Sequence, residues 1–462
     1  MIAACRLLSL ALIFSLSPYA PGSRATHDEA AVKQILQQRI DERKKGVAIV
    51  VGLVDEGGSK VVSYGKMGVD DPRPVDGDTV FEIGSISKVF TAILLADMVE
   101  RGEVGLNDPI SKYLPKSVKT PTRNGKEITL FDLATQSSGL PRMPSNFKPK
   151  DASNPFADYS VDQMYEFLSG YTLTRDISEK YEYSNFGMGL LGHILALKAG
   201  TDYETLVLTR ICRPLKMDST AVKLSPALRA RLAVGHNEAL KPVKNWDIPT
   251  LAGAGALRST TNDMLKFVAA NLGLVKTRLL PAMQVSHLDR KNTGSPDLDI
   301  GLAWHIFKRY GTEITWHNGG TGGYRTFIGF DQKRRAGVVV LTNTGNGADD
   351  IGFHLLESKY ELAKFEPPKA RTAISLDPKI SAAYVGEYEL GPGFIISVSQ
   401  QDDRFFAQAT GQPKFELFPE SETEFFLKVT DAQVTFVKDD KGVVTKLILH
   451  QGGANQDAKK VK

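Results

Sequence analysis

Cysteine is almost missing from this chain: Cys5 and Cys212 are the only two in 462 residues. Removal of an N-terminal export segment would take Cys5 away, leaving Cys212 with no partner for an internal disulfide. Ile211 and Leu215 beside it fit a buried, unreactive thiol. Neither His-Glu-x-x-His nor a cysteine pair occurs, so no metal and no cofactor is expected. Gly319-Gly-Thr-Gly-Gly323 is glycine-rich but lacks the Lys-Ser/Thr ending of a phosphate loop. The net charge is only +4, with no long basic tract, which argues against a nucleic-acid partner. No apolar run suits a stable membrane span, so no transmembrane anchor is expected.

The composition is that of a globular protein, 42% hydrophobic and 24% charged. The length predicts two domains rather than one. Residues 1–25 read as a secretory signal peptide. Arg6 gives the positive region, Leu7 to Leu16 the apolar core and Ser23-Arg-Ala25 a small-residue cleavage site. Export without disulfides fits a bacterial periplasm or exterior.

Ser85 stands at the start of an apolar run, with Lys88 three residues on. On a helix that spacing puts both side chains on one face. A serine hydroxyl becomes a nucleophile when a neighbouring base takes its proton, and an amine one turn away can do so. Ser-x-x-Lys also occurs at Ser63/Lys66 and Ser145/Lys148. Lys66 lies in a strand-like stretch, where residues three apart face opposite sides. Ser145 sits in a loop between Pro144 and Pro149. Only Ser85 opens a long amphipathic run, from Val89 to Val99.

Two further motifs follow in order. Tyr183-Ser-Asn185 is the only Tyr-x-Asn and precedes an apolar helix, Met188 to Leu195. Trp316-His-Asn-Gly-Gly320 follows a short strand, Thr312 to Trp316. Ser-x-x-Lys, Tyr-x-Asn and a basic residue-x-Gly in this order resemble the penicillin-recognising serine hydrolases. Within them the chain looks like the class C β-lactamase and D-Ala-D-Ala carboxypeptidase branch. Leu106-Asn-Asp-Pro-Ile110, Gln136-Ser-Ser-Gly-Leu-Pro141, Arg213-Pro-Leu-x-Met217 and Gly301-Leu-Ala-Trp304 support the resemblance, which covers roughly residues 30 to 360.

The resemblance implies roles. Ser85 attacks a carbonyl and forms an acyl-enzyme. Lys88 takes its proton directly, or lowers the pKa of Tyr183 so that the phenolate takes it. Tyr183 shuttles a proton to the leaving nitrogen, with Lys88 and His317 tuning it. Asn185 bonds both Lys88 and a substrate amide carbonyl. His317 binds substrate, Gly319 and Gly320 let it lie close to the strand, and the Ser85 and Gly320 amides form the oxyanion hole. One departure is plain: the chain has His317-Asn-Gly319 where many β-lactamases have Lys-Thr-Gly, and histidine holds a carboxylate less firmly at neutral pH. The expected substrates are β-lactams or D-Ala-D-Ala peptides. A carboxylesterase on the same scaffold and a β-lactam or peptidoglycan sensor that acylates once are the alternatives.

The fold class expected is α/β (α+β). Val32 to Arg43 reads as a helix, and Val47–Val54 and Lys60–Tyr64 as paired strands. Further strands surround His317 and span Thr326–Phe330 and Gly337–Thr342. Strands at both ends with helices between predict one antiparallel sheet backed by helices. The resemblance implies a β-lactamase/transpeptidase-like domain at 26–365, with a helical subdomain facing the sheet across the site. Glu366-Pro-Pro-Lys-Ala-Arg371 is a linker by composition. About six short strands follow, predicting a small barrel-like or sandwich domain at 372–450 that resembles a lipocalin. Residues 451–462 read as a frayed polar tail.

Overall fold

The structure is a computed structural model that describes residues 28–364, 371–391, 394–402, 404–410, 414–429, 432–451 and 454–462. The signal segment expected at 1–25 and residues 366–370 of the expected linker lie outside the described residues.

One eight-stranded antiparallel sheet organises the larger part. Its order is Gly58–Gly65, Ala48–Asp55, Ala336–Thr342, Arg325–Asp331, Thr312–Gly320, His305–Arg309, Leu298–Ile300 and Lys291–Asn292. The first long strand therefore pairs with the last, Ile49 opposite Thr342 and Val54 opposite Gly337. Ala48–Asp55 is a near-continuous apolar run because both faces of the sheet are covered. Ile49, Val51 and Leu53 pack with Val32 and Leu36 of the helix Glu29–Gln37 and with Ile351 and Leu355 of Asp349–Leu356. Ala48, Val50 and Val54 face the main core, with Leu265, Phe267 and Val268 of the helix Thr261–Asn271. This is the period-two alternation of a strand, each set buried by a different layer.

The Ser85 region departs from its expected form. Gly84–Ile86 is a 3₁₀ turn, and the α-helix runs from Ser87 to Glu100. The expected amphipathic face is not there, because every residue from Ser87 to Met98 is buried. A helix apolar all round belongs inside a core, and this one passes through the centre of the domain. Its Phe90 ring stacks on Phe267 at 4.1 Å. The helices Asn185–Ala199, Leu280–His287 and the short turn Ala252–Gly255 enclose the remainder.

The C-terminal part is a closed barrel of eight antiparallel strands in sequential order, from Gly386–Gly391 to Ala454–Lys460. Two strands were not anticipated, Phe415–Pro419 and Ala454–Lys460. The second corrects the expectation of a frayed tail at 451–462 and of a domain ending at 450. It pairs with Val444–Gln451, Ile448 opposite Asp457, and with the first strand, Tyr388 opposite Lys460. Its polar side chains do not hinder it, since main-chain bonds hold it and closure removes both sheet edges. Inside, Tyr384, Tyr388, Phe405, Phe425 and Phe436 pack together, Tyr384 stacked on Phe436 at 4.4 Å.

Candidate active site

Three stretches far apart in sequence meet where the 3₁₀ turn touches the strand Thr312–Gly320. Gly84 has φ +51°, and a Cβ on it would lie 2.6 Å from the Gly320 amide nitrogen. A Cβ on Gly319 would lie 2.0 Å from the Ile83 carbonyl oxygen. Both positions therefore need glycine for the turn to dock on the strand. The Thr326 hydroxyl ties the junction by donating to Ile83 O at 3.0 Å. The strand continues through His317, Asn318, Gly319 and Gly320 rather than ending at Trp316 as expected.

Lys88 Nζ lies 2.9 Å from Ser85 Oγ and donates to the Ala254 carbonyl at 2.6 Å. Lys88 is fully buried with no carboxylate partner among the described residues. Burial holds its amine well below the ordinary lysine value, and the charge of Arg142 adds to the effect. Tyr183 completes the group, its ring centroid 4.9 Å from Lys88 Nζ. Burial pushes its phenol up to about 12, against the opposing pulls of the Ser85 side chain and Arg142. The expectation that Lys88 and His317 tune Tyr183 downward is thus corrected: the phenol is raised, neither residue is among the causes acting on it, and the lysine amine is the group lowered.

Tyr183 precedes Ser184, which caps the helix Asn185–Ala199 by accepting from the Gly187 amide at 2.8 Å. Ser184 Oγ also donates to the Pro141 carbonyl, tying in the Gln136–Pro141 loop. Asn185 opens the helix half-buried, yet its amide makes no hydrogen bond to Lys88 among the described residues. The Lys88 donor takes Ala254 O instead.

His317 is fully buried. Its Nδ1 lies 2.6 Å from the Asn318 carbonyl. A carbonyl only accepts, so Nδ1 carries the hydrogen and Nε2 a lone pair. Nε2 is buried with no hydrogen-bond partner among the described residues. Burial, then the fields of His305 and Lys88, hold this imidazole well below its usual range. His305, 5.1 Å away between ring centroids, is pushed down to about 4, mainly by burial, and its Nε2 meets the Tyr181 hydroxyl at 3.0 Å. The Asn318 side chain turns the other way and donates to Asp349 at 2.5 Å.

Sequence reasoning missed Ala254, Arg142 and His305, and set Tyr181 aside as a rival of Tyr183 that lacks the asparagine two residues on. Ala254 lies in a run of small residues, Ala252-Gly-Ala-Gly255, whose signal is close packing rather than chemistry. Arg142 lies with its guanidinium 5.0 Å from the Tyr183 ring centroid. The rival pair Ser63/Lys66 does not assemble. Lys66 Nζ donates to Val69 O at 2.7 Å, and Ser63 lies within the strand Gly58–Gly65.

A model of the beta-lactamase family matches residues 32–356, and one described as a domain of unknown function (DUF3471) matches 370–460. Penicillin-binding protein 4* of Bacillus subtilis is 27% identical over 445 residues, covering 89% of this chain and 94% of the relative. The D-alanyl-D-alanine-carboxypeptidase/endopeptidase AmpH of Escherichia coli is 30% identical over 340 residues, covering 68% of this chain and 86% of the relative. Among solved structures, a class C beta lactamase from Rhodobacter sphaeroides superposes with a TM-score of 0.59 at 26% identity, covering 68% of this chain and 93% of that one. A beta-lactamase/D-alanine carboxypeptidase from Yersinia pestis superposes with a TM-score of 0.63 at 22% identity over 71% of this chain and 98% of that one, a likeness of fold. The match over most of the first domain, joined to the meeting of Ser85, Lys88 and Tyr183, assigns the chain to the beta-lactamase family of serine hydrolases.

Proposed function

We propose that this chain is an exported hydrolase that forms an acyl-enzyme on Ser85 and cleaves the amide bond of β-lactams or of D-Ala-D-Ala-type peptides. The observation that carries this is the Ser85–Lys88 pair, 2.9 Å apart, with the amine buried and depressed in pKa. A neutral amine offers its lone pair to the serine proton, so Lys88 is the direct base. Its N–H stays on Ala254 O, which aims the lone pair. Tyr183, whose phenol is raised by burial, is the acid that delivers a proton to the leaving nitrogen, and the proton that Lys88 took from Ser85 passes back to the phenoxide, restoring both groups. The amides of Ser85 and Gly320 form the oxyanion hole, and each such donor contributes a few kcal/mol in related chemistry. Asn185, Gly319 and Gly320 line the substrate path. Export rests on the charged, apolar and small-residue pattern of residues 1–25. Among the described residues no helix is long and apolar enough to cross a membrane.

The substrate assignment draws on the relatives named for carboxypeptidase, beta-lactamase and penicillin binding. Incubation with penicillins, cephalosporins, D-Ala-D-Ala peptides and short acyl esters, followed by intact-mass detection, tests it. An adduct on Ser85 that turns over with β-lactam or D-peptide supports the proposal. Turnover of esters alone would replace it with a carboxylesterase, and one adduct per chain without turnover would replace it with a sensor.

A further inference from the structure

The site is poor in positive charge where the sequence leads one to expect it. Lys88, His305 and His317 are all buried, and burial disfavours the charged form of each. The Nδ1 hydrogen of His317 is committed to Asn318 O, so its open nitrogen accepts and cannot donate to a carboxylate. A negative group on the substrate therefore needs a different partner.

Arg142 is the guanidinium at the site without a counter-charge. Its side chain is exposed and makes no ion pair or hydrogen bond among the described residues. Arg175 is instead paired with Glu182 at 2.9 Å. Arg325, beside Gly320, donates to Thr321 O at 2.8 Å and Tyr324 O at 3.0 Å and sits in the fields of Glu238 and Asp349. Arg142 is also placed rather than loose. Its carbonyl accepts from the Phe186 amide at 3.1 Å, and its guanidinium rests 5.0 Å from the Tyr183 ring centroid. Its field reaches Lys88, Tyr183 and Tyr181. A permanent, forked cation pre-set at the reacting groups suits bidentate capture of a carboxylate.

We propose that Arg142 is the specificity-determining anchor for a carboxylate of the substrate, and that the hydrolase selects acyl donors carrying negative charge beside the scissile bond. This rests on the acyl-serine chemistry proposed above. The carboxylate lies on either the leaving group or the acyl group, and two matched pairs of phenyl esters distinguish them. One pair differs only in a 3-carboxylate on the phenol; the other compares glutaryl with valeryl as the acyl group.

Acylation rates of the full chain, R142Q and R142K are read against ester concentration by intact mass. R142Q is expected to lower the charged-to-uncharged selectivity by about 10-fold or more in one pair, through apparent affinity. R142K should retain part of the preference, and added salt should weaken it in the parent chain. The pair that responds identifies the side that carries the charge. Selectivity unchanged in both pairs, or an equal slowing of both members, would overturn the assignment. An uncharged fluorophosphonate separates the two layers. If the parent chain is not labelled at Ser85, the acyl-serine reading fails; if it is labelled while selectivity ignores Arg142, only the anchor fails.

Discussion

Lys88 gives a hydrogen bond to the Ala254 carbonyl at 2.6 Å, shorter than its 2.9 Å separation from the Ser85 hydroxyl. A carbonyl favours the charged amine far less than a carboxylate in its place, which would hold the proton on. In the proposed mechanism, a main-chain acceptor in a fully buried setting leaves the lysine able to act as a base.

That setting links catalysis to stability. The unfolded chain binds a proton at Lys88 up to its ordinary value near 10.5, and the folded chain gives it up at lower pH. Folding is therefore disfavoured at neutral pH by this group, and the penalty fades as pH rises towards 10.5. Lys88→Met should abolish acylation and gain stability at pH 7 relative to the parent, less about 1 kcal/mol for the lost hydrogen bond. The gain should shrink at pH 10. Urea denaturation at both values checks this; a variant equally destabilised at both would mean that the amine is charged in the fold.

Ser85→Ala should eliminate labelling by a fluorescent penicillin or fluorophosphonate. Ser63→Ala and Ser145→Ala should leave it intact, because Lys66 is bound to Val69 O and Ser145 lies in the turn-rich segment after Pro144. Retained labelling in Ser85→Ala would remove the nucleophile assignment.

Tyr183→Phe keeps the ring between its neighbours and deletes only the hydroxyl. Acylation of an amide, whose nitrogen needs a proton to leave, should slow by about 10²–10³-fold. An aryl ester, whose phenolate leaves unaided, should lose far less. Equal losses on both would assign Tyr183 to positioning rather than acid catalysis.

What the sequence made legible follows from short-range geometry. Ser85 and Lys88 are visible because a three-residue spacing at the start of an apolar helical run stacks two side chains one turn apart, even though Ser85 itself lies in the 3₁₀ turn that leads into the helix. The sheet is visible because Ala48–Asp55 and Ala336–Thr342 are apolar runs of strand length. The charge state of His317 was not visible, since it depends on His305 from the neighbouring strand and on burial from elsewhere. Arg142 carries no pattern at all; a lone arginine after a proline reads as surface. The last barrel strand was hidden because Ala458 is a small buried side chain, and Asn455, Gln456, Asp457, Lys459 and Lys460 are polar. Its order comes from two partner strands, which local composition does not record.

Asp349 offers a test at the far end of the motif strand. Burial pushes its carboxyl up to about 6, with Asp350 adding to the rise and Asn318 and Arg325 opposing it. Between the ordinary carboxylate value of 3.8 and about 6, the folded chain binds more proton at this site than the unfolded chain does. Stability from this group is therefore greatest below that window and is lost as pH rises through it. Asp349→Asn removes the titration while keeping an oxygen to accept from Asn318, whose carbonyl in turn fixes His317 Nδ1. The variant should gain about 1–3 kcal/mol on the parent between pH 4 and pH 7. Denaturation curves at the two values read this directly. A difference that does not change with pH would mean that Asp349 is ionised throughout, with Arg325 as its effective counter-charge.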